Sequence, residues 1–119
     1  FAKGFASKTG SIITITGSID LVADEKKCYV IRNGVAQMSK ITGTGCQLSA
    51  IATAYLVANP DNKTEAVAAS VCLMGLAGEI GYSNMCSNDG NATLRNRIID
   101  AIYNMTAEEL NKGAKYEVR

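Results

Sequence analysis

The segment Ile41-Thr42-Gly43-Thr44-Gly45-Cys46 runs directly into Gln47-Leu48-Ser49-Ala50-Ile51-Ala52-Thr53-Ala54-Tyr55-Leu56-Val57, a stretch of small and apolar residues. Two glycines one residue apart let the backbone take conformations that side chains forbid. The apolar stretch reads as a helix from near Cys46 to near Ala58, stopped by Asn59-Pro60-Asp61-Asn62. Such a helix leaves its first amide hydrogens without intrahelical partners, at the positive end of its dipole. The junction therefore predicts a site for an anion such as a phosphate, with Cys46 at its mouth. A loop of this kind points to phosphoryl transfer. Taken alone, a Gly-x-Gly turn also serves as a plain strand-to-helix connection, and a single cysteine is more often inert than catalytic.

Upstream of this loop the pattern is extended. Ser11-Ile12-Ile13-Thr14-Ile15-Thr16 is β-branched almost throughout, which predicts a strand buried on both faces, interior to a larger sheet. Gly17 breaks it. Ile19–Ala23 and Cys28–Arg32 read as a hairpin around the polar turn Asp24-Glu25-Lys26-Lys27, and Asn33-Gly34 is a second turn signal. Val35–Lys40 reads as a short extended piece leading into the loop. Phe1–Ser7 resembles the tail of a helix whose start is absent, and the first residue is Phe rather than Met, so a fragment is expected.

Downstream the pattern is helical. A second helix from near Thr64 to Ile80 is apolar nearly all round, which predicts burial on most sides. Gly75 and Gly78 within it each cost about 1 kcal/mol relative to alanine, so close packing is expected there. Ser83–Gly90 reads as a loop. Leu94, Ile98, Ile99, Ile102 and Met105 give a third helix an apolar stripe. Thr106-Ala107-Glu108-Glu109 is a capping box opening a last short helix that Gly113 ends.

Composition narrows the class. The 119 residues suffice for one domain, 1–119, without an internal boundary, and 47% hydrophobic with 19% charged residues is a globular balance. The formal charge is +1 with no basic cluster, so no nucleic-acid partner is expected. The strongest apolar run, Ala66–Ala77, is shorter than the ~20 residues of a membrane span, and neither a span nor a signal peptide is expected. Cys28, Cys46, Cys72 and Cys86 lack C-x-x-C spacing and the chain has no histidine, which argues against structural zinc and excludes a Cys/His nucleophile pair within this chain. Reduced, cytoplasmic thiols are expected, with Cys28 and Cys72 as small buried hydrophobes.

The order of strand, hairpin, glycine loop and helices resembles the C-terminal half of the ribokinase-like small-molecule kinases, α/β three-layer sandwiches. Thr14-Ile15-Thr16-Gly17-Ser18-Ile19-Asp20 is similar to the strand end V-T-G-E-x-D. Asn33-Gly34, followed by Met38-Ser39-Lys40-Ile41-Thr42-Gly43-Thr44-Gly45-Cys46, is similar to N-G…M-x-x-[IV]-T-G-x-G-C. Ile99-Asp100-Ala101-Ile102-Tyr103-Asn104-Met105 is similar to L-D-A-L-Y-x-L. Together they resemble the hydroxyethylthiazole kinase family, in which cysteine stands where most ribokinase-like kinases carry aspartate. The resemblance covers all of this chain but only the back half of the family's sequence. At Asp89-Gly90-Asn91-Ala92-Thr93-Leu94 the chain departs from the Gly/Ser-Phe element frequent in the family.

The resemblance implies ATP-dependent phosphorylation of the hydroxyethyl group of 4-methyl-5-(2-hydroxyethyl)thiazole in thiamine salvage, with ATP and Mg2+. It implies that Thr16 lies near the nucleotide and Gly43 contacts the thiazole. Gly43, Thr44, Gly45 and Cys46 would form the anion hole, with Cys46 also in the place of the catalytic base. It places the acidic magnesium ligands, an arginine on ATP and a methionine of the thiazole pocket in the absent half, so no metal ligand is expected here. It also implies a homotrimer with the thiazole site at subunit boundaries. Two alternatives stand beside this reading: a kinase for another small alcohol or heterocycle on the same fold, and an inactive assembly fragment.

Overall fold

The computed structural model describes residues 1–119. Helix α1 (Ala2–Thr9) ends at Gly10, where a φ of 65° allows the left-handed turn that closes it. Strands β1 (Ile13–Ile15), β2 (Asp20–Ala23) and β3 (Cys28–Ile31) follow. The expected hairpin is present, with Asp20 opposite Ile31 and Ala23 opposite Cys28. Asp24 organises its turn, accepting from the Lys26 and Lys27 amides at 2.7 and 2.9 Å and from the Thr64 hydroxyl at 2.8 Å. These bonds, with the Lys27–Glu65 ion pair, tie the hairpin to the first turn of α3 (Lys63–Ser83). A short strand β4 (Tyr116–Val118) pairs with the far side of β3, so the sheet is antiparallel in the order β1-β2-β3-β4.

The pleat sends alternate side chains to opposite layers. Val22 and Ile31 meet Val67, Ala68, Val71 and Cys72 of α3. Ala23, Cys28 and Val30 face the other way and pack with Ala2 of α1. The result is a helix–sheet–helix arrangement of three layers. Outside α3 lie α2 (Thr44–Ala58), α4 (Asn91–Asn104) and α5 (Ala107–Gly113). Met74 and Ala77 of α3 join Leu94 and Ile98 of α4 and Ile41 in a second core cluster. Burying a side chain of this size stabilises by about 1.5–3 kcal/mol.

Helix α3 is the axis of the fold. The apolar run read as Ala66–Ala77 sits within a helix of 21 residues, which by length and hydropathy alone could cross a membrane. Its surroundings say otherwise: 72% of that stretch is buried inside the protein. Helix α2 differs, because none of its residues is fully buried although it is apolar on every side.

The structure refines several expectations from sequence. Within this chain β1 has only β2 beside it, and Thr14 and Ile15 are exposed, so its burial on both faces rests on sheet outside residues 1–119. Val35–Lys40 is not extended: Ala36–Lys40 forms a 3-10 turn, closed by the Met38 amide on the Val35 carbonyl at 3.1 Å. Ile99 is 45% exposed, so only Leu94 and Ile98 of the α4 stripe are fully buried. Gly113 ends α5 as expected, at a point where a Cβ would stand 2.5 Å from the Leu76 side chain. The capping box is formed as expected, with the Glu109 amide donating to Thr106 Oγ1 at 3.2 Å and the Thr106 amide donating to Glu109 Oε2 at 2.8 Å.

Candidate functional site

The glycine loop turns the chain from the 3-10 segment into α2. Gly43 carries the turn with a φ of 98°, a region open to glycine. The first intrahelical bond runs from the Gln47 amide to the Gly43 carbonyl at 3.0 Å, and no side chain caps the helix. The amides of Thr44, Gly45 and Cys46 therefore precede the helical ladder without intrahelical partners. A Cβ built on Gly43 or Gly45 would meet nothing within 4 Å. The loop is thus an open backbone cradle, and its donor set fits a phosphate.

A cleft of about 550 Å³ opens beside this cradle. Thr16, Gly17, Ser18 and Asp20 form one wall; Asn33 to Ala36, Met38 and Ser39 form another. Thr44, Gly45 and Leu48 bound it at α2, and Val71, Met74 and Gly75 of α3 close its floor. Thr16, Thr44 and Gly45 are thereby brought to one space from positions far apart in the sequence. Gly43 and Cys46 flank the cleft rather than line it. Cys46 is the third residue of α2 and its thiol is exposed.

Asp20 is the only carboxylate in the lining. Burial raises its pKa above the usual aspartate range, and the Gly17 amide, donating to Oδ1 at 2.9 Å, only partly offsets this. That bond also shapes the turn holding Thr16. Burial, with the Asp20 charge as a second cause, pushes the Cys72 thiol up to about 11. Nowhere do three His, Cys, Asp or Glu side chains cluster in a way that could hold a metal ion.

The cleft contains residues that sequence reasoning did not place in a site: Asp20, the wall Asn33–Ser39 and the α3 floor. Asn33-Gly34 was the available signal, since Gly34 has a φ of 119°. Met38 was visible only as a motif residue; its Sδ lies 2.1 Å from where a Cβ on Gly78 would stand, so that glycine makes room for it.

Three layers, an antiparallel segment of sheet and a glycine loop at a helix N-terminus define a ribokinase-like α/β fold. A solved hydroxyethylthiazole kinase protein from Pyrococcus horikoshii OT3 shares it, with a TM-score of 0.87 at 20% identity over 99% of this chain and 44% of that one. The model of the hydroxyethylthiazole kinase family matches residues 1–108, and the chain belongs to that family. It is 54% identical over 117 residues to the hydroxyethylthiazole kinase of Clostridium acetobutylicum, covering 98% of this chain and 43% of that protein. It is 35% identical over 118 residues to the hydroxyethylthiazole kinase of Zea mays, covering 99% and 41%. The chain thus spans less than half the length of these relatives.

Proposed function

We propose that this chain forms the anion-hole half of an enzyme that transfers the γ-phosphoryl group of ATP to the hydroxyethyl group of 4-methyl-5-(2-hydroxyethyl)thiazole, a step of thiamine salvage. The observation that carries this is the uncapped N-terminus of α2, opening on the cleft that Thr16 also lines. Family membership supports the choice of substrate. In this reading ATP spans the cleft with its phosphates toward the cradle, and Thr16 lies near the nucleotide. The amides of Thr44, Gly45 and Cys46 donate to the oxygens of the moving phosphoryl group, where negative charge is spread in a loose transition state. Gly43 turns the chain and brings its backbone to the thiazole. The Cys46 thiol orients the attacking hydroxyl or accepts its proton. Because the proton moves late in such a transition state, a strong base is not required. Magnesium, whose acidic ligands the family resemblance puts outside this chain, would supply neutralisation of phosphate charge when bound.

The enzyme is proposed to be cytoplasmic, in keeping with four free cysteines, and to act as a homo-oligomer. The test is a kinase assay on the complete enzyme with ATP, magnesium and the thiazole alcohol. Gly45→Ala has room for its methyl, so it should leave folding intact and lower turnover by crowding the anion. Cys46→Ala should lower the rate by roughly 10²–10⁴-fold, the range of a positioned acid–base group. Full activity in both variants would remove the loop from the mechanism.

A further inference from the structure

The wall Asn33–Ser39 is held from behind by a polar cluster whose centre, Glu79, belongs to no motif read in the sequence. Glu79 lies on the same helix as Gly75 and Gly78, which let this wall approach α3. Its Oε1 accepts from the Gly34 amide at 2.9 Å and from Asn33 Nδ2 at 3.2 Å. Its Oε2 accepts from Lys115 Nζ at 2.7 Å. Asn33 is buried and fully engaged: Nδ2 also donates to the Gly113 carbonyl at 2.9 Å, and Oδ1 accepts from the Lys115 amide at 2.7 Å. One carboxylate thus joins the exit of β3, helix α3 and the link from α5 to β4.

Asn33 and Gly34 stand at the root of the wall, immediately before Val35, Ala36 and Met38, which present an apolar surface to the cleft. Such a surface suits a flat heterocycle, with the cradle at α2 taking the phosphates. We infer that Glu79 is a positioning residue for ATP: it touches no ligand, and it sets the place of the base-facing wall through Gly34 and Asn33. What matters is an acceptor at the reach of a glutamate side chain, not the negative charge. This rests on the kinase reading above.

The test uses the complete enzyme and three variants. Glu79→Ala removes the acceptor. Glu79→Asp keeps the charge but withdraws it by one methylene. Glu79→Gln keeps one acceptor oxygen for the Gly34 amide and Asn33 and gives up the acceptor that faces Lys115. In Ala and Asp the KM for ATP should rise about tenfold or more, with kcat changed by less than about threefold, and in Gln both should stay within about twofold. Amide exchange at Gly34 should quicken in Ala and Asp and not in Gln. A merely structural role would lower the melting temperature without separating KM from kcat. If Glu79→Ala fails to fold, Asp against Gln carries the comparison. Unaltered enzyme that turns over normally, with ATP KM unchanged in Ala and Asp or with Gln as impaired as Ala, overturns the role given to Glu79. Unaltered enzyme without thiazole phosphorylation ends the kinase reading itself, and this inference with it.

Discussion

Gly75 and Gly4 are both helical glycines, yet the structure assigns their alanine variants opposite signs. In α1, a Cβ on Gly4 would meet nothing within 4 Å. Gly4→Ala therefore gains only the helix-propensity difference, about 0.5–1 kcal/mol. In α3, a Cβ on Gly75 would stand 2.6 Å from Asn33 Cβ and 2.8 Å from the Asn33 carbonyl carbon and oxygen. Backbone atoms cannot swing aside as a side-chain tip can. Asn33 is moreover held through its amide group by Glu79, Gly113 and Lys115. Overpacking costs about 1–3 kcal/mol and leaving a buried polar group unsatisfied about 1–3 more, against a propensity gain near 1. The net for Gly75→Ala is a loss of about 1–5 kcal/mol. Urea melts followed by far-UV circular dichroism, with the midpoint and slope fitted separately, would measure both variants. A Gly75→Ala protein as stable as the parent, or a Gly4→Ala protein that is destabilised, would refute the argument from close approach.

Two further outcomes are expected. Alkylation at neutral pH followed by mass mapping should label exposed Cys46 and Cys86 before buried Cys28 and Cys72, and Cys72, pushed up to about 11, should be slowest of all; saturating ATP and thiazole alcohol should protect Cys46 and leave Cys86 unaffected. The pH dependence of stability should separate Glu79 from Asp20. Burial pushes the Glu79 carboxyl up, but Lys115, the Gly34 amide and Asn33 outweigh it and hold it below its ordinary 4.5. Its contribution is therefore complete above that value and lost as pH falls through the lower folded value, and Glu79→Gln should flatten this acid limb. Asp20 is raised by burial, so its contribution is present in acid and lost as pH rises through its folded value; Asp20→Asn should gain stability at neutral pH. Equal acid limbs in Glu79→Gln and the parent, or no neutral gain in Asp20→Asn, would contradict these assignments.

Much was legible in the sequence because it depends on neighbours along the chain. The Asp24–Lys27 turn, the capping box at Thr106 and the burial of α3 follow from local hydrogen-bonding chemistry and hydrophobic period. So does the glycine loop, whose freedom lies in Gly43 itself, and the motif order around it carried the family. Burial of single residues did not follow. β1 has a β-branched composition suited to a central strand, yet within this chain it has one neighbour and an exposed Ile15. Ile99, the third residue of the α4 stripe, has helical spacing that points toward a core but lies outside it, 45% exposed. β4 is a strand only because β3 offers an edge to Tyr116–Val118.

What the sequence determined alone is the loop chemistry: two glycines, a cysteine and the start of a helix, which produce free amides wherever the rest of the chain goes. Tertiary structure decided what those amides face. Thr16, the Asn33–Ser39 wall and Gly75 meet at the cleft only because the hairpin and α3 pack together. Glu79 acquires its partners from residues 45 and 46 positions upstream and 36 downstream. Contacts of that separation leave no local period or turn signal, since they are selected by packing and by the need of each buried polar group for a partner.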